Sequence, residues 1–203
     1  MKIFNLMISF LFCLIISFTS CAPSLFTTKQ GFRVVTKDDF VKREVLETAI
    51  DITNKYLCNR FPDVYYPDRF LKIKRVSDFY LFQIRILPDY LNTGIFECNI
   101  GDVVWCRGLY RSSYSTKIIT YVNNKCIANT SLVHELLHFY SDIIEMKMDK
   151  GHERVEYFRL GCYSLYSGQT LKECLDKSAE TQINLILCDE LCGGECELRG
   201  FKP

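Results

Sequence analysis

After an apolar N-terminal stretch, the first regular pattern along the chain is a segment with apolar residues at helical spacing. After Asp38 and Asp39, apolar side chains recur every three or four positions as far as Cys58. This spacing predicts a long amphipathic helix with an acidic first turn. Pro62 and Pro67 follow soon after, and both residues are typical of the region between two elements.

Strand-like segments fill the middle of the chain. Apolar and polar residues alternate, or β-branched residues cluster, in four short segments that we predict as strands: 70–76, 79–87, 103–106 and 117–122. From Ser131 onward the helical spacing returns and predicts helices over about 131–147, 153–166 and 170–191. The pattern predicts an α+β fold in which a small, mostly antiparallel sheet precedes a helical C-terminal part.

The first residues of the chain are typical of a targeting segment. Lys2 supplies a positive charge, and residues 3–18 are almost wholly apolar. This stretch is shorter than the ~20 residues that span a bilayer and matches the apolar core of a secretory signal peptide. We therefore expect three parts, a signal peptide, a tether and a domain, over residues 1–21, 22–37 and 38–203.

Small residues lead to a cysteine at the end of the signal peptide. The stretch Phe18-Thr19-Ser20-Cys21-Ala22 resembles the lipobox of bacterial lipoproteins, which implies that Cys21 is lipidated and becomes the new N-terminus. The alternative is ordinary cleavage near Cys21 or Ala22, which releases a soluble protein. In both cases we expect export, either as a cell-envelope lipoprotein or as a secreted protein, with membrane contact only through a lipid.

Composition narrows the classes of partner. The chain has 203 residues, of which 48% are hydrophobic, and this suffices for the core of one domain. Its 25 Lys and Arg residues nearly balance 24 Asp and Glu residues, for a formal net charge of +1. Such a chain lacks the basic surface that neutralises phosphates, so we expect no nucleic-acid partner.

The cysteine content also bears on the compartment. The chain has 11 cysteines, more than a reduced cytosolic protein needs, and this number favours an oxidising compartment. Removing Cys13 and Cys21 from the 11 leaves nine, which allows up to four bridges and one free thiol. Spacing along the chain suggests two local bridges, Cys98–Cys106 and Cys162–Cys174. A soft-metal cluster is the alternative for Cys188, Cys192 and Cys196.

One motif carries recognisable chemistry, His134-Glu135-Leu136-Leu137-His138. On a helix, residues four apart lie on the same face, so His134 and His138 can bind one metal ion together. Glu135 then reaches a water molecule on that ion. The chain has three histidines, and all of them lie between positions 134 and 152. We therefore predict a Zn²⁺ site with these two histidines as ligands and Glu135 as the catalytic general base.

A zinc site in a hydrolase needs a third protein ligand and an open position for water. The HExxH motif, followed by Gly151-His152 and then by residues 156–158, resembles the SprT-like metallopeptidases over about a quarter of the chain. This resemblance implies that His152 is the third ligand. Glu153 stands where that family has a small residue.

Carboxylates are the alternatives for the third position. Glu180, followed four residues later by Asn184, is similar to the glutamate helix of gluzincins, and that resemblance implies Glu180 as the ligand. Another carboxylate such as Glu156 also remains open.

The order of predicted elements is similar to that of the zincin superfamily, with a leading helix, a small sheet and a helical lower part. The resemblance implies a zincin-like fold in which the last strand, Lys117–Val122, is an edge that pairs with an extended peptide. It also implies hydrolysis of peptide bonds in a peptide or protein substrate. Four tyrosines near the motif are candidates for stabilising the oxyanion, namely Tyr140, Tyr157, Tyr163 and Tyr166.

Two functions remain open at this stage. The first is an exported zinc metallopeptidase, and the second is a non-catalytic surface or binding lipoprotein that keeps the zincin scaffold. Glu135 favours the enzyme, because a glutamate at this position of the motif contributes little to holding zinc and is suited to proton transfer.

If Cys21 is the lipid attachment site, the wild-type chain is expected to partition with membranes, and Cys21→Ser is expected to block lipidation. The reason is that each buried CH₂ of an acyl chain contributes ~0.8 kcal/mol to membrane binding. Membrane fractionation and the intact mass of the mature chain measure the effect, with Cys58→Ser as the control. A wild-type mature chain that starts at Ala22 or later and stays soluble would contradict the prediction.

Overall fold

The computed structural model describes residues 24–36, 41–76, 82–88, 96–100, 103–106, 108–112, 117–122, 126–147, 149, 151–194 and 196. Within these ranges the chain is α+β, with a small mixed sheet and six α-helices. The α+β class predicted from the sequence is confirmed.

Seven strands are described: β1 (Ser24–Thr27), β2 (Arg33–Thr36), β3 (Gln83–Pro88), β4 (Phe96–Ile100), β5 (Val103–Cys106), β6 (Gly108–Arg111) and β7 (Lys117–Val122). The main sheet has the order β1-β2-β3-β7-β6, and β4 pairs separately with β5. β3 is parallel to both β2 and β7, whereas β1–β2 and β6–β7 are antiparallel. The main sheet is therefore mixed and not mostly antiparallel: two helices lie between the parallel strands β2 and β3, and strands β4, β5 and β6 lie between the parallel strands β3 and β7.

Residues 24–36 belong to the sheet, so the prediction of a tether over 22–37 is wrong. β1 and β2 pair with each other, and β2 also pairs with β3. Phe32 and Val34 lie in the core, with 1% and 0% of their surface exposed. The segment is rich in polar residues, so its composition did not indicate these two core positions.

Two helices lie between β2 and β3. The predicted first helix is present as α1 (Arg43–Arg60). The segment predicted as a strand over 70–76 is instead part of α2 (Pro67–Val76). Pro67 occupies the first position of α2, where its missing N–H is not needed, and Asp68 lies in the first turn, where the helix dipole favours a negative charge.

The exposure of the side chains of α2 shows why this segment is a helix and not a strand. Ile73 is 4% exposed, whereas Leu71 is 49% exposed. Phe70 packs against the core together with Ile73, three residues away, as one face of a helix requires. Over so short a segment, the alternation of apolar and polar residues fits the period of a strand as well as that of a helix. The packing of the side chains distinguishes the two.

Four helices follow β7: α3 (Leu132–Ile143), α4 (Arg159–Leu165), α5 (Gly168–Lys177) and α6 (Ala179–Cys192). The helix predicted over 153–166 begins only at Arg159, and the one predicted over 170–191 is divided at Ser178. Ser178 has an extended backbone, and its hydroxyl accepts a hydrogen bond from Thr181 N at the start of α6. None of the helices in the described ranges combines the length and apolarity that crossing a membrane requires.

Helix α3 carries the HExxH motif and packs on β6 and β7. β7 was predicted as the edge strand, but it lies between β3 and β6 in the described sheet. Among the described strands the edge on this side of the sheet is β6, because it pairs antiparallel with β7 and covers the outer side of β7. The strand next to the candidate site is therefore Gly108–Arg111.

Three disulfides join described cysteines: Cys126–Cys192, Cys162–Cys174 and Cys188–Cys196. The predicted Cys162–Cys174 bridge is confirmed. The cysteines considered as a soft-metal cluster are instead paired in the other two bridges. The predicted Cys98–Cys106 bridge involves the Cys98 side chain, which lies outside the described part of the chain. Such bridges are typical of an oxidising environment.

The helical assignment of residues 67–76 predicts different effects for two neighbouring side chains. Ile73→Ala should destabilise the domain by ~2–5 kcal/mol, because it leaves a cavity in the core. Leu71→Ala should change stability by less than ~0.5 kcal/mol, because the side chain is largely exposed. Denaturant unfolding measures both. Losses of equal size would contradict the assignment, because the two residues share a face only in a strand.

Candidate metal centre

Helix α3 holds the motif in a buried position. The Thr130 hydroxyl accepts a hydrogen bond from Leu132 N (3.1 Å) at the start of the helix. The apolar residues around the motif anchor the helix and are fully buried: Leu132, Val133, Leu136, Leu137 and Phe139. His134 and His138 lie one turn apart, with ring centroids separated by 4.8 Å. The helix therefore brings both imidazoles together, as its spacing predicts.

His152 joins these two imidazoles from a different segment of the chain. Its Nε2 atom lies 3.0 Å from Nε2 of His134 and 3.1 Å from Nε2 of His138. Zinc–nitrogen bonds of ~2.0–2.1 Å place the nitrogens of a tetrahedral site about 3.4 Å apart, close to these separations. Three converging imidazole nitrogens are thus a donor set that fits a metal ion, and the group can hold one.

The segment that carries His152 is fastened on both sides. The Asp149 carboxylate accepts hydrogen bonds from the backbone N–H groups of Glu153 (3.1 Å) and Arg154 (2.8 Å). The Arg154 guanidinium in turn pairs with Glu145, just beyond the end of α3, at 2.5 Å. The third imidazole is therefore tied to the helix that carries the other two.

The backbone of His152 is held in an uncommon conformation. Its φ angle is +56°, in the left-handed region that non-glycine residues rarely adopt. A Cβ atom on Gly161 would lie 2.1 Å from the His152 carbonyl oxygen, so only glycine permits this approach of α4. A rare backbone angle and a tight contact at the same residue are typical of a functional site.

One aromatic ring supports all three imidazoles. The Phe158 centroid lies 4.5 Å from that of His138 and 5.2 Å from those of His134 and His152. Phe158 is fully buried. It forms an apolar wall that excludes water from one side of the group and limits rotation of the rings.

Glu135 lies beside the imidazoles and beneath the edge strand. It is 4% exposed, and burial raises the pKa of its carboxyl to about 7. A Cβ atom on Gly108 would lie 2.3 Å from Glu135 Oε1, so the first residue of β6 must lack a side chain here. A carboxyl group with a pKa near neutrality, next to the group that can hold a metal, is suited to accept a proton.

The imidazoles differ in their tendency to carry a proton. Burial, followed by the charges of the neighbouring histidines, lowers the pKa of His138 to about 3. Burial also lowers the pKa of His152. Both rings are therefore neutral near pH 7, which is the form that binds metals. Burial alone would lower the pKa of His134 as well, but the Glu180 carboxylate raises it.

Glu180 contacts the far side of the His134 ring. Its Oε2 atom lies 3.2 Å from Nδ1 of His134, whereas His152 lies at Nε2. Burial alone would raise the pKa of Glu180, but His134 and Arg159 lower it below its usual range. The geometry thus brings His152, and not Glu180, to the nitrogens that converge.

The other residues considered from the sequence lie elsewhere. Glu156 pairs with Arg154 (3.1 Å), and its side chain is 44% exposed. Tyr163 and Tyr166 are largely exposed, whereas Tyr140 and Tyr157 are buried in the core. The tyrosine stacked on His138 is Tyr110, with ring centroids 6.3 Å apart, and sequence reasoning did not identify it.

No known protein family, curated protein or solved structure matches this chain. The proposed function therefore rests on the geometry of the site.

Sequence reasoning missed Phe158, Arg159, Gly108 and Gly161 as parts of the site. Only the two glycines carried a usable signal, because a glycine within a strand or helix indicates close approach of another group.

His152→Ala is expected to weaken zinc binding by more than about 100-fold, because losing a ligand has a larger effect than losing a hydrogen-bond partner of a ligand. Competition with a chromogenic chelator measures the affinity. Glu156→Ala is the matched control, since it removes an exposed acid from the neighbouring segment. Equal affinities for His152→Ala and wild type would rule out His152 as a ligand.

Proposed function

We propose that this chain is an exported zinc metallopeptidase with a zincin-like fold. The observation that carries the proposal is the convergence of the three Nε2 atoms of His134, His138 and His152 beside the buried Glu135 carboxylate. A structural zinc site normally has four protein ligands, whereas hydrolytic sites have three and an open position. Three imidazoles with an adjacent base match the second arrangement.

Each residue of the site has a distinct task in the proposed reaction. The three imidazoles would hold zinc, which when bound supplies a Lewis acid and lowers the pKa of water. Glu135 accepts a proton from the attacking water and passes it to the leaving amine. Phe158 excludes water from one side of the site, which strengthens the electrostatic interactions there.

The edge strand β6 supports a peptide as the substrate. Gly108 at its start touches Glu135, so a chain lying along β6 would pass the proposed general base. An extended peptide pairs with a strand edge through main-chain hydrogen bonds, whatever its sequence. We therefore assign substrate pairing to Gly108–Arg111 and not to Lys117–Val122.

Export of the enzyme is part of the proposal. The three disulfides among the described cysteines support an oxidising compartment. The apolar N-terminal segment and Cys21 supply the route, either to the cell envelope as a lipoprotein or into the medium.

Glu135→Gln is expected to lower the turnover of an unstructured peptide substrate by ~10²–10⁴-fold, because the amide cannot accept the proton. Zinc content should stay at one per chain, since Glu135 is not a ligand. Fluorescence of quenched peptides and metal analysis are the two measurements.

Glu153→Gln is the matched control for this experiment. It removes the same charge from an exposed residue next to His152 and should leave turnover unchanged. Wild-type protein that holds zinc but cleaves none of a broad peptide mixture would instead support the non-catalytic binding protein.

A further inference from the structure

Glu180 is a buried carboxylate with more partners than packing requires. It is 3% exposed and lies at the second position of α6. Its Oε2 atom lies 3.2 Å from Nδ1 of His134 and accepts the Arg159 backbone N–H (3.1 Å), while Oε1 pairs with Nε of Arg159 (3.0 Å). One carboxylate therefore joins α3, α4 and α6.

The backbone around Glu180 is tied to the segment that carries the third imidazole. Ala179 N donates to the Glu156 carbonyl (2.9 Å), and Glu180 N donates to the Tyr157 carbonyl (3.0 Å). Phe158 and Arg159 follow directly, and Phe158 supports all three imidazoles. The position of Glu180 is thus fixed relative to both His134 and the segment after His152.

A carboxylate at Nδ1 decides which nitrogen of the ring carries the proton. Because an ionised carboxylate only accepts hydrogen bonds, it selects the His134 tautomer with N–H at Nδ1 and leaves the Nε2 lone pair available. It also holds the plane of the ring and makes the imidazole a stronger donor to a metal. Arg159 holds this carboxylate in place through two contacts, one from its backbone N–H and one from its guanidinium.

We propose that Glu180 and Arg159 form a positioning pair that sets the tautomer and orientation of His134 and thereby the metal affinity of the three-histidine site. This inference rests on the metal centre of the proposed function. Glu180 is then not an alternative metal ligand but a residue that acts through the ligand His134.

Two measurements on the full chain test the pair. In the first, ¹⁵N NMR of the histidine rings reports which nitrogen carries the proton, and the three histidines are assigned with single alanine variants. In the metal-free chain we expect wild-type His134 to be in the Nδ1–H form, whereas zinc at Nε2 would impose this form by itself. In the second, chelator competition should show zinc affinity lowered about 10–100-fold in Glu180→Gln. Glu190→Gln, an exposed charge change on the same helix, should leave the affinity unchanged.

The outcomes separate this inference from the proposed metal centre. A wild-type chain that binds no zinc would overturn both. Equal zinc affinities for wild type and Glu180→Gln, with zinc bound by both, would overturn the positioning pair alone. Should Glu180→Gln fail to fold, the NMR measurement still decides, because wild-type His134 in the Nε2–H form would contradict the inference. Loss of affinity with the Nδ1–H form in wild type would support it.

Discussion

The packing of one short segment against helix α3 is the interaction on which the site depends. Residues 151–159 bring His152 to the two imidazoles of α3 and place Phe158 against all three rings. The Arg154–Glu145 pair and the Asp149 carboxylate fasten the segment before it turns into α4. Because α3 is buried among apolar side chains, the segment is fitted to a rigid surface. The site is therefore assembled by tertiary packing and not by one local motif.

The sequence predicted the part of this site that is local. Helical spacing places His134 and His138 on one face, and this expectation required no knowledge of the rest of the fold. His152 was a candidate as the one remaining histidine and through a family resemblance, with Glu180 and Glu156 left open. The sequence could not decide among them, since convergence across 18 positions depends on how α3 meets the following segment. Arg159 gave no signal at all. Arginine is mostly an exposed residue, so its position after Phe158 did not indicate a buried carboxylate partner.

Dependence on tertiary contacts also explains why two segments of the fold were predicted wrongly. Residues 70–76 alternate like a strand, but the burial of Ile73 and the exposure of Leu71 make them a helix. Residues 24–36 have the composition of a linker, yet Phe32 and Val34 fill the core beneath the sheet. Both segments are short, so their local pattern has too few positions to outweigh the tertiary contacts. Helices α1 and α3 were predicted correctly because each offers several turns of consistent spacing.

Two carboxylates near His134, those of Glu135 and Glu180, have different pKa values because their surroundings differ. Burial raises the pKa of Glu135 to about 7, with a further contribution from the Glu180 carboxylate that His134 opposes. Glu180 is equally buried, but His134 and Arg159 hold its pKa below the usual range. A bound dication would lower the pKa of both groups, yet the difference in partners would persist. One carboxylate can therefore exchange a proton during the proposed reaction, while the other stays ionised and orients a ligand. The two carboxylates differ because Glu180 contacts both Arg159 and His134.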